Sequence, residues 1–407
     1  MAGKVLPWLN IDYTQRIMRL AEDDNTLQVT NIFTKAATDK GDNYSSDIRR
    51  VTVEFTRNKG NKMVTEKKSM ILKLESPTEG ARRVLIKKTE IFDTEISALT
   101  DAVKKMNQLL GPEERFCAKV YDVRLESPLC LILEDLSVFG FRMADRYLGF
   151  DTDHALMALR RMATFHAASV ALCEKEPKYK ERYRRGYFGM EYPKEMQIFL
   201  TGTLKAMADE VETWPEFGKP YADKLRAFAP NSYRKGSEIT AWRDNEFNVI
   251  NHGDCWVNNM LFRYDDNGKP IQHIFVDFQL CVYSSPAIDL HYFAATSLSE
   301  ELYKHRRGFL LEEYLKTLTS VMKELGCKTS PPTMDELQRI LKEHETYEFL
   351  SAVIVLPVIL LDKENAVDIS ELLQADCKEI PGVKSKAFRE VMSKRLPTYM
   401  EMDLLDP

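Results

Sequence analysis

Residues 251–279 combine a polar loop, an apolar hairpin and a closing acid, and this order constrains the fold more than any other part of the chain. The loop contains Asp254 and Asn259, five positions apart. Two apolar runs follow, one on each side of an Asp-Asp-Asn-Gly turn, which predicts an antiparallel hairpin. Because a hairpin returns its second strand beside its first, we expect Asp277 to lie near Asn259.

The residue types in this segment suit the transfer of a phosphoryl group to a hydroxyl. Such a reaction needs an acceptor for the proton of the hydroxyl and divalent metal to offset the phosphate charge. Mg²⁺ prefers oxygen ligands, which Asp and Asn side chains supply. Asp254, Asn259 and Asp277 would then provide one base and two metal ligands around one point. Taken singly, each of the three is more often a turn or capping residue, so the interpretation depends on the joint pattern.

Composition and charge describe an ordinary globular protein. The 407 residues are 44% hydrophobic and 29% charged, enough for two to three domains. A net charge of −5 disfavours nucleic-acid binding, which usually needs a basic face. The seven scattered cysteines include no CxxC pair, which favours free thiols in a reducing compartment. The N-terminus lacks an apolar run of signal-peptide length, and the apolar segment 349–361 is too short to span a bilayer. We therefore expect a cytoplasmic monomer without nucleic-acid or membrane partners.

Hydrophobic periodicity divides the chain into two parts. Before Asp135, strand-like runs dominate and two segments, 7–21 and 92–110, have helical spacing. After Asp135, long helical patterns dominate. The pattern predicts an α+β fold with a small strand-rich domain, residues 1–135, and a larger helical domain, residues 136–407.

The string HGDCWVNNMLFRYDDNGKPIQHIFVDFQ, followed by SSPAIDLHYF, resembles the insect ecdysteroid kinase-like family. This family belongs to the aminoglycoside and choline kinase-like phosphotransferases, which are relatives of protein kinases. The resemblance extends over nearly the whole chain. It implies a bilobal protein-kinase-like fold and the ATP- and Mg²⁺-dependent phosphorylation of a small molecule. Gly253 and Gln279 replace the Arg and Gly that protein kinases usually have there, which fits the small-molecule branch.

The resemblance implies a role for each residue of the motif. Asp254 would be the catalytic base, and Asn259 and Asp277 would be the Mg²⁺ ligands. Asp289, within Pro-Ala-Ile-Asp-Leu, would brace the catalytic loop from behind. His252 would lie in the same supporting layer, and we expect it to pack within the loop rather than to transfer protons.

Lys73 is the candidate for the phosphate-binding lysine of the strand-rich domain. It lies in the apolar run Met-Ile-Leu-Lys-Leu and matches the family position that contacts the α and β phosphates and pairs with a helix glutamate. Glu95 is the favoured partner, with Glu90 as the alternative. The competing interpretations are a surface lysine on an edge strand and a solvent-facing helix acid.

Two further segments complete the predicted ATP site. The first is a small polar stretch between two strands, where a phosphate-covering loop would offer amides and hydroxyls to phosphate; a surface turn is the alternative. The second follows the last strand, where a hinge backbone would hydrogen-bond adenine while the acidic side chains point to solvent. The residues are Asn43, Ser45 and Ser46 in the first segment and Glu134, Asp135 and Leu136 in the second.

We expect an O-phosphotransferase for a hydroxylated small molecule, and the resemblance favours an ecdysteroid-like steroid or a xenobiotic alcohol. Tyr283, Tyr292 and Phe293 are candidates for an apolar acceptor pocket, although such residues are more often core. The alternatives within the enzyme class are a choline-type acceptor and an aminoglycoside. Choline would favour an aromatic cage, and an aminoglycoside would favour an acidic cleft. A ligand-binding pseudokinase is disfavoured because the complete motif is present. A protein kinase is disfavoured because no Ala-Pro-Glu follows Asp277.

Overall fold

The computed structural model describes residues 6–37, 46–60, 62–75, 88–112, 114–189, 192, 194–361 and 380–406. The chain forms two compact units. The sheet unit comprises Met1–Val84 and Cys117–Arg142, and the helical unit comprises Leu85–Phe116 and Met143–Pro407. A strand-rich unit followed by a helical unit confirms the expected α+β, protein-kinase-like class. The assignment of ATP binding to residues 1–135 and of catalysis to residues 136–407 stays a prediction.

Five antiparallel strands form the sheet in the order β1-β2-β3-β5-β4. They are β1 (Gln28–Ala36), β2 (Ser46–Lys59), β3 (Lys62–Glu75), β4 (Val120–Arg124) and β5 (Cys130–Glu134). Strands β2 and β3 are each 14 residues long, because a tight hairpin keeps them paired as far as Lys59 and Lys62. Gly60 has a φ of +58° in that turn, a conformation that favours glycine.

Helix α1 (Ile11–Glu22) covers one face of this sheet. The sequence pattern predicts a start at Pro7, but the helix begins after Asn10, whose side chain accepts a hydrogen bond from the backbone N–H of Tyr13 at 2.9 Å. Its buried residues Ile17 and Met18 join the core that lies on the strands. The amphipathic pattern therefore positions the helix correctly, and the cap defines where it begins.

The helical unit contains helices and a few short strands. They are α2 (Ile91–Ser97), α3 (Val103–Leu110), α4 (Thr152–Lys175), α5 (Lys178–Arg182), α6 (Lys194–Glu212), α7 (Gly218–Phe228), α8 (Ser232–Thr240), α9 (Ala287–Ser297), α10 (Glu300–His305), α11 (Arg307–Glu324), α12 (Met334–Glu343), α13 (Thr346–Ile359) and α14 (Lys386–Glu401). The strands are β6 (Arg142–Met143) at the boundary between the units, β7 (Val249–Asn251), β8 (Met260–Tyr264), β9 (Pro270–Phe275) and β10 (Val282–Ser284). Within the described ranges, no helix is both long and apolar enough to cross a membrane.

The helix predicted at 92–110 is interrupted. A π-helical turn, Ala98–Ala102, separates α2 from α3. The apolar side chains keep a common buried face through the turn, which is why the sequence pattern reads as one helix. Single π turns inside α-helices occur frequently at functional sites.

Short strands bring two loops together in the helical unit. β7 pairs with β10, and β8 pairs with β9 in the predicted hairpin. The loop 252–259 therefore runs from β7 to β8, and the loop 276–281 runs from β9 to β10. The long helix α4 packs against both β7 and β9, and α9 follows β10 directly. These elements hold the residues of the motif at one place.

Candidate active site

The hairpin returns the chain to Asn259, as the sequence predicts. Met260 pairs with Phe275, and the backbone N–H of Val276 donates to the carbonyl of Asn259 at 3.0 Å. Asp277 is the next residue, and its φ of +69° lies in the left-handed region, which is uncommon for a residue with a Cβ. Such conformations occur preferentially at functional sites, where the surrounding structure maintains them.

Two donors fix the carboxylate of Asp254, a residue only 8% exposed. The Nδ2 of Asn259 donates to its Oδ2 at 2.8 Å, and the hydroxyl of Tyr292 donates to its Oδ1 at 2.5 Å. The same Nδ2 also donates to the backbone carbonyl of Asp254 at 3.0 Å. The amide of Asn259 is therefore turned so that its nitrogen faces Asp254 and its oxygen is directed away.

Asp289 holds the backbone of the loop from behind. Its fully buried carboxylate accepts hydrogen bonds from the backbone N–H of His252 at 2.7 Å and of Gly253 at 2.8 Å. The Nε2 of His166 lies 3.0 Å from the same carboxylate, and its Nδ1 lies 2.8 Å from the hydroxyl of Tyr314. Burial alone would raise the pKa of Asp289, but the hydrogen bonds and the neighbouring His166 and His252 lower it below its ordinary value. The carboxylate of Asp289 is therefore ionised, and each of its oxygens accepts a hydrogen bond from the backbone of the loop.

Gly253 allows the loop to pass close to the following segment. Its φ is +82°, and a Cβ at this position would lie 2.0 Å from the carbonyl oxygen of Leu280. No side chain fits such a contact. The geometry explains why this chain has glycine where protein kinases usually have arginine.

The ring of His252 connects the two loops. Its Nδ1 accepts the backbone N–H of Asp254 at 3.3 Å, so its Nε2 carries the proton and donates to the carbonyl of Val276 at 3.1 Å. The ring also packs against Phe275 and Phe278, with centroid distances of 5.2 and 4.6 Å. Both nitrogens are used by the backbone, which agrees with a packing role.

The oxygens near the loop suit one kind of metal site. Among the described residues, no three His, Cys, Asp or Glu side chains group together as metal ligands. Mg²⁺ in nucleotide sites needs fewer, because one or two protein oxygens act together with phosphates and water. The Oδ1 of Asn259 and the carboxylate of Asp277 are hard oxygen donors on adjoining segments, so the residues present fit Mg²⁺ bound with a nucleotide.

Lys73 is not a surface lysine on an edge strand. It lies on β3, the central strand, between Ile48 of β2 and Leu131 of β5. The residue is only 4% exposed. Burying a lysine is costly, so the position favours a specific interaction for this ammonium group.

Glu95, the predicted partner of Lys73, is 1% exposed on α2, and the solvent-facing alternative is therefore wrong. The other candidate, Glu90, forms an ion pair with Arg185 at 3.0 Å inside the helical unit. Lys73 and Glu95 belong to different units, and their pairing stays a prediction.

The two acids at the end of β5, Glu134 and Asp135, are buried, so the expectation that their side chains point to solvent is wrong. Glu134 is 6% exposed, and its backbone N–H donates to the carbonyl of Lys119 at 2.9 Å. Asp135 is 2% exposed and accepts hydrogen bonds from Arg50 at 2.7 Å and from Ser69 at 2.5 Å. These partners come from β2 and β3, so Asp135 fastens the end of β5 to the sheet. The predicted contacts between adenine and the backbone at Glu134, Asp135 and Leu136 stay a prediction.

Only the end of the predicted phosphate-covering loop lies within the described residues. Asn43 and Ser45 lie outside the described residues. Ser46 is the first residue of β2, opposite Glu75 on β3, and is half-buried. Its contact with phosphate stays a prediction.

Two residues of the site were not recognised from the sequence in these roles. Tyr292 was a candidate for an apolar pocket, and His166 carries no signal beyond an ordinary core histidine. Both act through contacts between distant segments, 38 positions apart for Tyr292 and Asp254 and 123 for His166 and Asp289. The Asp-Leu-His-Tyr order after β10 is the only local hint, since it places Asp289 and Tyr292 one helical turn apart.

Comparison with known proteins agrees with this arrangement. The model of the ecdysteroid kinase-like family matches residues 40–327, a range that contains every candidate site residue. No curated protein matches the chain. With the loop, the hairpin and the closing acid in the order of a kinase-type phosphotransferase, the chain belongs to the ecdysteroid kinase-like family.

Proposed function

We propose that this protein is a kinase that transfers the γ-phosphate of ATP, with Mg²⁺, to a hydroxyl of a small molecule. The observation that carries the proposal is the buried carboxylate of Asp254, held by Asn259 and Tyr292 on a loop whose backbone is fixed by Asp289. A base must be held within hydrogen-bond reach of the proton that it accepts. The two donors and the braced backbone supply that rigidity.

Each residue has a definite task in the proposed reaction. Asp254 orients the acceptor hydroxyl and takes its proton while the hydroxyl oxygen bonds to the γ-phosphorus and the bond to ADP breaks. Asn259 and Asp277 would hold Mg²⁺, which when bound offsets the charge of the phosphates. Lys73 would bind the α and β phosphates. Asp289 and His252 keep the loop in place.

The surroundings of Asp254 support an acceptor that is uncharged and largely apolar. Burial, and to a smaller extent the charge of Asp254, raise the pKa values of Tyr187 and Tyr292, so both present neutral phenols beside an aromatic neighbourhood. A polycationic aminoglycoside would need an acidic cleft instead. The family description and this lining together favour an ecdysteroid-like steroid or a xenobiotic alcohol, acting in the cytoplasm.

The proposal is tested by incubating the purified chain with labelled ATP, MgCl₂ and a panel of acceptors. The panel contains ecdysteroids, plant alcohols, choline and an aminoglycoside, and mass spectrometry identifies each phosphorylated product. We expect phosphate transfer to an ecdysteroid or a plant alcohol. Transfer to choline or the aminoglycoside alone, or ATP binding without transfer to any acceptor, would refute the proposed acceptor class, and failure to bind ATP would refute the kinase.

A further inference from the structure

The hydroxyl of Tyr292 contacts the carboxylate oxygen of Asp254 that Asn259 does not contact. Its hydroxyl donates to Oδ1 at 2.5 Å, while Asn259 donates to Oδ2 at 2.8 Å. The side chain of Tyr292 is buried. Burial and the charge of Asp254 raise the pKa of Tyr292 well above its ordinary value, so the hydroxyl remains a donor at any physiological pH.

Helix α9 carries both Tyr292 and Asp289, the residue that holds the backbone of the loop. Asp289 lies three residues earlier on α9, and residues with this spacing share one face of a helix. Asp289 binds the backbone of the loop, and Tyr292 binds the carboxylate that the loop presents. Every residue of α9 is buried, so the helix has little freedom to move. The hydroxyl of Tyr292 is thus placed at Oδ1 by the same rigid element that fixes the loop.

This placement has a consequence for what can react at Asp254. A hydroxyl that gives its proton to Asp254 has to reach a carboxylate oxygen, and both oxygens already have a donor. An acceptor that is bound by the rest of its surface can share or take over Oδ1. A water molecule is not held by contacts of this kind, so it competes poorly with the fixed hydroxyl of Tyr292 for Oδ1 of Asp254.

We propose that Tyr292 is a positioning residue that reserves Oδ1 of Asp254 for the bound acceptor and keeps water from using the base. This inference rests on the proposed kinase function. With water at Oδ1, the water oxygen would bond to the γ-phosphorus, the bond to ADP would break, and the proton would pass to Asp254. The products would be ADP and inorganic phosphate instead of a phosphorylated acceptor.

The variant Tyr292→Phe tests this role, because it removes the hydroxyl and keeps the ring. The readout is the release of inorganic phosphate from ATP and MgCl₂ without any acceptor. We expect the rate of phosphate release to rise at least about 10-fold over the wild type. This is less than the full rate enhancement that a positioned general base contributes. A gain of hydrolysis cannot come from misfolding. Tyr292→Leu, a second variant without the hydroxyl, must show the same gain.

Two controls define the origin of the gain. Tyr13→Phe removes another tyrosine hydroxyl that donates to an aspartate, Asp122 at 3.0 Å in the sheet unit, and we expect it to leave hydrolysis unchanged. The double variant Tyr292→Phe with Asp254→Asn must lose the gain, because water would then have no base. Gain in the double variant would mean a contaminating hydrolase and would overturn the inference.

The result for Tyr292 is separable from the result for the kinase. Hydrolysis by Tyr292→Phe equal to or below that of the wild type overturns the role of Tyr292, even when the wild type phosphorylates an acceptor. Faster hydrolysis by the variant supports the role, and it does so also when the wild type phosphorylates no member of the acceptor panel. In that second case the acceptor class, and not the position of Tyr292, is wrong.

Discussion

One amide nitrogen of Asn259 donates to both the backbone carbonyl and the carboxylate of Asp254, at 3.0 and 2.8 Å. Because both bonds come from one nitrogen, they fix the side chain of Asp254 relative to its own backbone. The oxygen of the same amide is directed away from Asp254, and it is the atom that we propose as a Mg²⁺ ligand. In the proposed reaction, Asn259 would therefore connect the position of the base to the position of the metal.

Asn259→Ala should reduce turnover and weaken the response to Mg²⁺ at the same time. The variant loses both bonds to Asp254 and one oxygen ligand, and we expect kcat to fall about 10- to 100-fold, the usual cost of losing a supporting contact at a metal site. The half-saturating Mg²⁺ concentration should rise. Asn258, similarly buried, is not a hydrogen-bond donor to Asp254 among the described residues, so Asn258→Ala is the control. An unchanged Mg²⁺ titration would remove Asn259 from the metal site.

Gly253→Ala should destabilise the fold strongly. The new Cβ would meet the carbonyl of Leu280 at 2.0 Å, and the φ of +82° adds strain. We expect a loss of about 2–4 kcal/mol in the free energy of unfolding, from overpacking and strain together. Gly268→Ala has nearly the same φ, +79°, with nothing within 4 Å of its Cβ, and should lose only about 1 kcal/mol. Urea unfolding measures both values, and equal losses would contradict the predicted clash.

Asp289→Asn should destabilise the protein in a pH-dependent way. The pKa of Asp289 is lower in the folded protein than its ordinary value of 3.8, so its contribution to stability is complete above that value. The contribution is lost as the pH falls through the lower folded value, because the folded state must then take up the proton. We expect the variant to be about 2–4 kcal/mol less stable at pH 7, since the amide leaves buried N–H groups of the loop without one acceptor.

Unfolding of wild type and Asp289→Asn is therefore to be compared at pH 7 and at several values below 4. The difference in stability should shrink as the pH falls. A difference that is constant over this range would mean that the ionised form of Asp289 contributes nothing specific to the brace.

Lys73→Met should weaken ATP use while the sheet remains intact. Lys73 is 4% exposed on the central strand, and methionine fills a similar volume. We expect kcat/KM for ATP to fall about 100-fold or more, the scale of losing one charged contact at a transferring phosphate. Lys67→Met is the matched control on the same strand, because the Lys67 side chain is 67% exposed and pairs with Glu54. Equal kinetics for the two variants would mean that Lys73 does not contact ATP.

The sequence predicted the features that depend on local pattern. The β8–β9 hairpin follows from two apolar runs around an Asp-Asp-Asn-Gly turn, and the return of the chain to Asn259 follows from the hairpin alone. The strands of the sheet and the longest helix were likewise visible as alternating or helical spacing. The boundaries were less accurate, because a cap such as Asn10 or a tight turn such as Gly60 decides where an element ends.

Features that depend on distant contacts were not predicted. The bond between Tyr292 and Asp254 requires α9 to pack beneath the loop, which no spacing along the chain encodes. The burial of Asp135 requires Arg50 and Ser69 on neighbouring strands, and an acid after a strand otherwise resembles a solvent-facing residue. The π turn at Ala98–Ala102 was also missed, because it preserves the buried face of the helix.

The central claim is that Asp254 is the base of a phosphoryl transfer to a small-molecule hydroxyl. The most direct measurement is the turnover of Asp254→Asn with ATP, Mg²⁺ and the acceptor that the wild type phosphorylates, together with the Kd for ATP and the melting temperature. We predict a loss of about 10²–10⁴-fold in kcat, the usual contribution of a general base, with ATP affinity and melting temperature close to those of the wild type. Turnover equal to that of the wild type in a folded, ATP-binding variant would contradict the claim.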